Sequence, residues 1–163
     1  MKGQSMAEKT VTPVERKRYP TLPRLRVTRA GKISEPGAVY ASTALAVAHA
    51  RKMVRLDREE FWCLHLDAKN RLVGYEVIAM GSMTAAIIHP REVFKGLILN
   101  SAASVIFLHN HPSGDTTPSG EDLALTKRLY EAGELLGIRV LDHIIIGDSI
   151  RNFCSLADKG LLS

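Results

Sequence analysis

Polar and apolar positions divide the chain into short runs of two different periods. From Ser42, residues 42–58 read STALAVAHARKMVRLDR, in which a Ser/Thr cap candidate precedes Leu45, Ala48, Met53 and Leu56 at helical spacing. This predicts a first helix ending near Arg58. FWCLHLDAKNRLVGYEVIAM follows, two apolar runs around a polar AspAlaLysAsn turn, the pattern of an antiparallel strand pair. TAAIIH (residues 84–89) reads as a third strand. Pro90 suits the first position of a helix over PREVFKGLILNSA, because the proline's missing N–H has no partner to lose there. SVIFLHN is short, β-rich and apolar, and so predicts a buried strand. In SGEDLALTKRLYEAGELLGI, Leu125, Leu129, Ala132 and Leu136 share one helical face and Gly137 is placed to end the helix. RVLDHIIIG and the weaker RNFCSL close the pattern as strands. The order is α, three β, α, β, α, β, β with no internal repeat. It predicts one α/β domain, a mixed β-sheet flanked by helices.

Composition supports a single domain: 163 residues, 45% hydrophobic and 24% charged, can bury a core unaided. Charge divides the chain unevenly. Up to Gly37 there are nine basic residues against three acidic ones, with Pro13, Pro20 and Pro23 and little apolar periodicity, so residues 1–37 are expected to be a basic, flexible arm and residues 38–163 the folded domain. Such an arm can track the phosphates of a nucleic acid or simply be solvated. Cys63 and Cys154 lie in apolar surroundings without a CxxC pattern, which points away from a disulfide scaffold or a cysteine metal site and toward a reducing compartment. The start lacks a secretory apolar stretch and no segment reaches the roughly 20 apolar residues of a membrane span. A soluble, cytoplasmic protein that does not engage membranes is the expectation.

Candidate chemistry concentrates in FLHNHPSGDTTPSGED. Residues two apart in a strand face the same side, so His109 and His111 can aim both imidazoles at one point. Pro112, Gly114 and Pro118 shape a returning loop, and Asp122 in the first turn of the next helix can supply a carboxylate. Two imidazoles and a carboxylate suit zinc, and three protein ligands leave a fourth position for water, as in catalytic sites. The other reading is structural: SGED fits a helix capping box in which Ser119 and Asp122 only satisfy backbone groups, and a buried histidine can be a hydrogen-bonded core residue. Residue spacing leaves both open.

The run HNHPSGDTTPSGED resembles the JAMM (MPN+) signature, His-x-His, a spacer, then Ser-x-x-Asp, and with HPREVFK before it and LDHIIIG after it is similar to the bacterial RadC family over roughly residues 36–162. The resemblance implies a single MPN/JAB-like domain in a cytidine-deaminase-like three-layer arrangement. It implies one zinc per chain held by His109, His111 and Asp122, with Ser119 hydrogen-bonding near the metal and helping to stabilise an oxyanion. Glu59 matches the family's upstream glutamate, the general base toward the zinc-activated water, and neighbouring Glu60 leaves a one-residue ambiguity. Strand alternation allows only one of the two to face the metal. The implied activity is a metallopeptidase-type hydrolase acting on an amide or isopeptide bond of a protein or peptide substrate.

His49 and His65 are read as packing or surface residues, and His89 as helping to set the second helix. Asp142 and His143 adjoin in a strand, so they face opposite ways; either can accept a hydrogen bond from the second ring nitrogen of a zinc-bound histidine. The letters HNH coincide with a nuclease motif whose residues are dispersed rather than consecutive, and the H-x-E and P-C-x-x-C of zinc deaminases are missing. Against the hydrolase stands a nucleic-acid-associated binding module without turnover, suggested by the basic arm. Many RadC-like proteins carry an N-terminal helix-hairpin-helix region suggestive of DNA binding; this sequence shows only its basic arm there, so DNA engagement is not the expectation.

Overall fold

The computed structural model describes Ala46, residues 50–81 and residues 88–162. The basic arm, most of the first predicted helix, His49 and all but the last two residues of TAAIIH lie outside the described residues. Ile88 is buried and His89 leads into the next helix.

Among the described residues, five strands form one mixed sheet: β1 (Glu60–Leu66), β2 (Leu72–Met80), β3 (Ser104–Asn110), β4 (Arg139–Ile146) and β5 (Phe153–Ser155), in the order β2-β1-β3-β4-β5. Only β3 and β4 are parallel; the other pairs are antiparallel. The β1–β2 pair is the hairpin that the apolar runs predict. Its turn closes because the Asp67 carboxylate accepts from the backbone N–H groups of Lys69 (2.8 Å) and Arg71 (3.0 Å), while Asn70 takes a positive φ of 56°. Parallel pairing of β3 with β4 needs a crossover, which helix α2 (Gly120–Leu136) supplies.

Helix α1 (Pro90–Leu99) begins where the sequence places it, with Pro90 in its first turn. His89 helps by its backbone alone: its carbonyl accepts from Glu92 and Val93, and its ring makes no cap bond. Helix α2 ends at Gly137, whose φ of 71° is the left-handed conformation a glycine adopts at no steric cost. Gly133 lets this helix close on the sheet, since a Cβ there would meet the Ile138 carbonyl oxygen at 2.6 Å.

The first predicted helix needs correction over its described part. Ala50–Arg55 is a 3-10 helix that stops three residues before Arg58. Ala50 and Met53, three apart, are its buried residues, and Leu56 N–H bonds back to the Met53 carbonyl at 3.1 Å, the tighter i to i−3 closure. The chain must leave the helix there to enter β1.

Both faces of the sheet are covered, giving three layers. On one face Phe61, Cys63 and Phe107 pack against Val93, Phe94 and Leu97 of α1 and Leu125 and Leu129 of α2. On the other, Trp62, Leu64, Ile106 and Ile144 pack against Ala46, Ala50 and Met53. Cys63 and Cys154 are free and buried. Among the described residues no helix is long and apolar enough to cross a membrane.

His65 of β1 is 1% exposed, its Nδ1 accepting from the Asn100 side-chain amide at 2.8 Å. Burial pushes its pKa down to about 4. The unfolded chain, with an ordinary histidine pKa of about 6.5, takes up a proton that the folded chain refuses. This contribution is therefore complete above pH of about 6.5 and lost as the pH falls, on the order of 3 kcal/mol by pH of about 4. Urea unfolding at both ends of that window should show a smaller acid loss for His65→Gln than for wild type; equal losses would refute the assignment.

Candidate metal centre

β3 is central in the sheet and buried along its whole length, and it delivers His109 at its carboxyl end. Strand geometry continues one residue further, because His111 N–H donates to the Ile146 carbonyl at 2.8 Å. His109 and His111 consequently face the same side, and their Nε2 atoms approach to 2.9 Å. The PSGDTTPS loop brings the chain back to α2, whose first turn carries Asp122, 5% exposed. Asp122 Oδ1 lies 3.3 Å from His109 Nε2, and Oδ2 lies 3.7 Å from His111 Nε2. One donor atom from each of His109, His111 and Asp122 falls within 4.8 Å of the others. Carboxyl ends of strands and the amino end of the following helix are where open α/β sheets gather ligands.

The capping box that SGED predicts is also present. Ser119 Oγ accepts from Asp122 N–H at 3.1 Å, while Asp122 Oδ2 accepts from Ser119 N–H at 2.7 Å and from the Ser119 hydroxyl at 2.6 Å. The cap occupies mainly Oδ2, and Oδ1 remains turned toward His109. One carboxylate can thus end a helix and contribute to a metal site.

Charges are distributed as a cation site requires. Burial opposes ionisation of Asp122, but the nearness of His111 and His109 and the hydrogen bonds from Ser119 outweigh it and hold the carboxyl well below its ordinary range. His109 is pushed down to about 4 by burial, against the pull of Asp122. His111 is raised, chiefly by the Asp122 carboxylate beside it. A neutral imidazole, a second imidazole at the rim and an ionised carboxylate form a nitrogen and oxygen donor set that fits zinc.

Glu59 stands beside this group rather than in it. Phe61 pairs with His109 across the β1–β3 ladder, and continuing that register brings Glu59 opposite His111, whose pKa it helps to raise. Glu60 turns to the other face, where its carboxylate accepts from Trp62 Nε1 at 2.7 Å. Strand alternation thereby separates the two glutamates, with Glu59 on the side of the histidines.

Three residues of the site escaped the sequence reading or were only partly read. His143 of β4 is fully buried, and its Nε2 is 2.8 Å from His109 Nδ1; Asp142 faces away and accepts from Ser155 Oγ at 2.7 Å. Thr126 Oγ1 lies 2.6 Å from His143 Nδ1, and its place four residues after Asp122 was the available signal. Asn110 sits between the two histidines but points oppositely, accepting from Glu60 N–H at 2.8 Å and donating to the Arg58 carbonyl at 3.0 Å. It clasps the backbone on both sides of Glu59.

A buried strand end and a helix start that converge a His-x-His pair and an aspartate, a group that could hold a metal ion, are set here in an α/β domain of the JAB-like class. The chain belongs to the RadC family: the model of the RadC-like JAB domain matches residues 35–161. It is 54% identical over 128 residues to a UPF0758 protein of Syntrophotalea carbinolica, covering 78% of this chain and 56% of that one. Similar matches join it to UPF0758 proteins of Desulforamulus reducens, 58% identical over 66% of this chain and 46% of the relative, and of Methanosarcina mazei, 49% over 80% and 54%. The chain spans about half the length of these curated relatives.

Proposed function

We propose that the protein is a zinc-dependent, metallopeptidase-type hydrolase of amide or isopeptide bonds, working on a protein or peptide in the cytoplasm. The observation that carries this reading is the convergence of His109 Nε2, His111 Nε2 and an Asp122 carboxylate oxygen, with Glu59 alongside. Zinc bound by those three residues would act as a Lewis acid and bring the pKa of a water toward about 7. Glu59 is suited to general base work: it is half-buried, stands on the metal side of the strand pair, and is held by its backbone, its carbonyl accepting from Gly81 N–H at 2.8 Å. It takes the water's proton and passes it to the leaving amine nitrogen. Ser119 has one hydroxyl proton, given at rest to Asp122 Oδ2. Stabilising the substrate oxyanion requires that hydroxyl to rotate off the carboxylate.

A nucleic-acid-binding role without turnover rests on a different feature. A groove of about 600 Å³ is lined by Arg51, Lys52 and Arg55 together with Asp148, Ser149 and Ile150, and the basic arm precedes it in sequence. One comparison separates the readings. Zinc-loaded protein should cleave members of a panel of peptide and isopeptide-linked substrates, and His109→Ala should not. Lack of cleavage across the panel, with DNA binding that weakens steeply with salt and disappears on deleting residues 1–37, would favour the binding module.

A further inference from the structure

We propose that His143 and Thr126 are positioning residues, a hydrogen-bond chain of fixed direction that holds His109 in the tautomer presenting a bare Nε2 to the metal. This rests on the reading of His109 as a ligand.

The direction follows from counting protons, beginning at the far end of the chain. Thr126 Oγ1 lies 2.6 Å from the Asp122 backbone carbonyl, which can only accept, so the single hydroxyl proton is used there. Toward His143 Nδ1, also at 2.6 Å, the same oxygen can then only accept, and Nδ1 must carry a hydrogen. Full burial keeps the His143 ring neutral, which leaves its Nε2 bare. That bare nitrogen is 2.8 Å from His109 Nδ1, which must donate. With its hydrogen placed on Nδ1, a neutral His109 ring keeps a lone pair at Nε2, which accepts from His111 Nε2 at 2.9 Å beside Asp122 Oδ1 at 3.3 Å.

Nothing local to β3 could have fixed that choice, because an imidazole ring alone has two tautomers of similar energy. His111 is set by a simpler device: its Nδ1 faces the Asp115 carbonyl at 2.5 Å within its own loop. The chain at His109 crosses from β3 to β4 to α2 and ends on the backbone of Asp122, so the first and third candidate ligands are tied through it. Aromatic packing steadies the rings, with Phe61 stacked at 22° on His109 and edge-on to His143 at 5.4 Å.

The test begins with metal-free protein at neutral pH, whose histidine ring nitrogens report their tautomers in long-range proton–nitrogen NMR spectra. His109 and His143 should both show the Nδ1–H form. Thr126→Val keeps the side-chain shape and removes the hydroxyl. It should lose that tautomer pattern and bind zinc about 10- to 100-fold more weakly in competition with a chelator. Thr126→Ser should restore both, which a purely steric role for Thr126 would not do. A folded Thr126→Val with wild-type zinc affinity would overturn the proposal. So would an Nε2–H form of His109 in wild-type protein that binds zinc, a result that needs no variant to fold. Wild type showing the expected tautomers but taking up no zinc would instead overturn the metal reading, leaving the chain as a packing device.

Discussion

Wild-type protein should carry one zinc ion per chain, and His109→Ala and Asp122→Ala should carry none while remaining folded. The three donor groups lie within 4.8 Å of one another, and removing one of the three proposed ligands leaves too few to hold the ion. Asp122→Ala has a second consequence, because the same carboxylate completes the cap of α2. Loss of a cap costs about 1 kcal/mol, enough to lower the melting temperature without unfolding the domain. Ser119→Ala separates the two roles: it should share the loss of stability and retain zinc. Elemental analysis beside thermal melting reads both quantities. Zinc retained by Asp122→Ala would reduce that residue to a helix cap. A wild type that takes up none would move the preferred function to the binding module.

The second large effect concerns Glu59. On a substrate identified by the peptide and isopeptide panel, Glu59→Gln should lower kcat by about 10²- to 10⁴-fold, the usual contribution of a general base, with zinc content unchanged. The amide keeps the shape and cannot take a proton. Glu60→Gln should leave turnover near wild type, since that side chain is engaged with Trp62 on the opposite face. Asn110→Ala should fall between them, because it releases the backbone on both sides of Glu59 without removing the carboxylate. Equal losses from the two glutamate variants would show that the register argument assigns the wrong residue. Full activity in Glu59→Gln would remove it from the chemistry.

The regular elements of the described fold are legible in the chain where local signals agree. Helix α2 has a capping box, an apolar face and a stop glycine, each acting within a few residues, and the structure follows them except at Leu136, which the last turn leaves exposed. The strands from β1 to β4 are equally local, being apolar runs bounded by turn residues. His109 and His111 belong with these, since a two-residue spacing at a strand end specifies a shared side whatever the rest of the molecule does. The 3-10 segment at Ala50–Arg55 departs from expectation because its end is set by the need to enter β1, which periodicity does not register.

What the sequence determined by itself, then, is strands β1 to β5 and helices α1 and α2, the pairing of His109 with His111, and an aspartate at the start of the next helix. The choice of Glu59 over Glu60 as the neighbour of His111 required the β1–β3 register, a relation between residues about fifty positions apart. The place of His143 behind His109 required β4 to lie parallel to β3, and that of Thr126 required α2 to lie over both. Orientation of a ligand's second nitrogen is a property of hydrogen bonds between elements. Only the packed sheet and its helix bring those partners within reach.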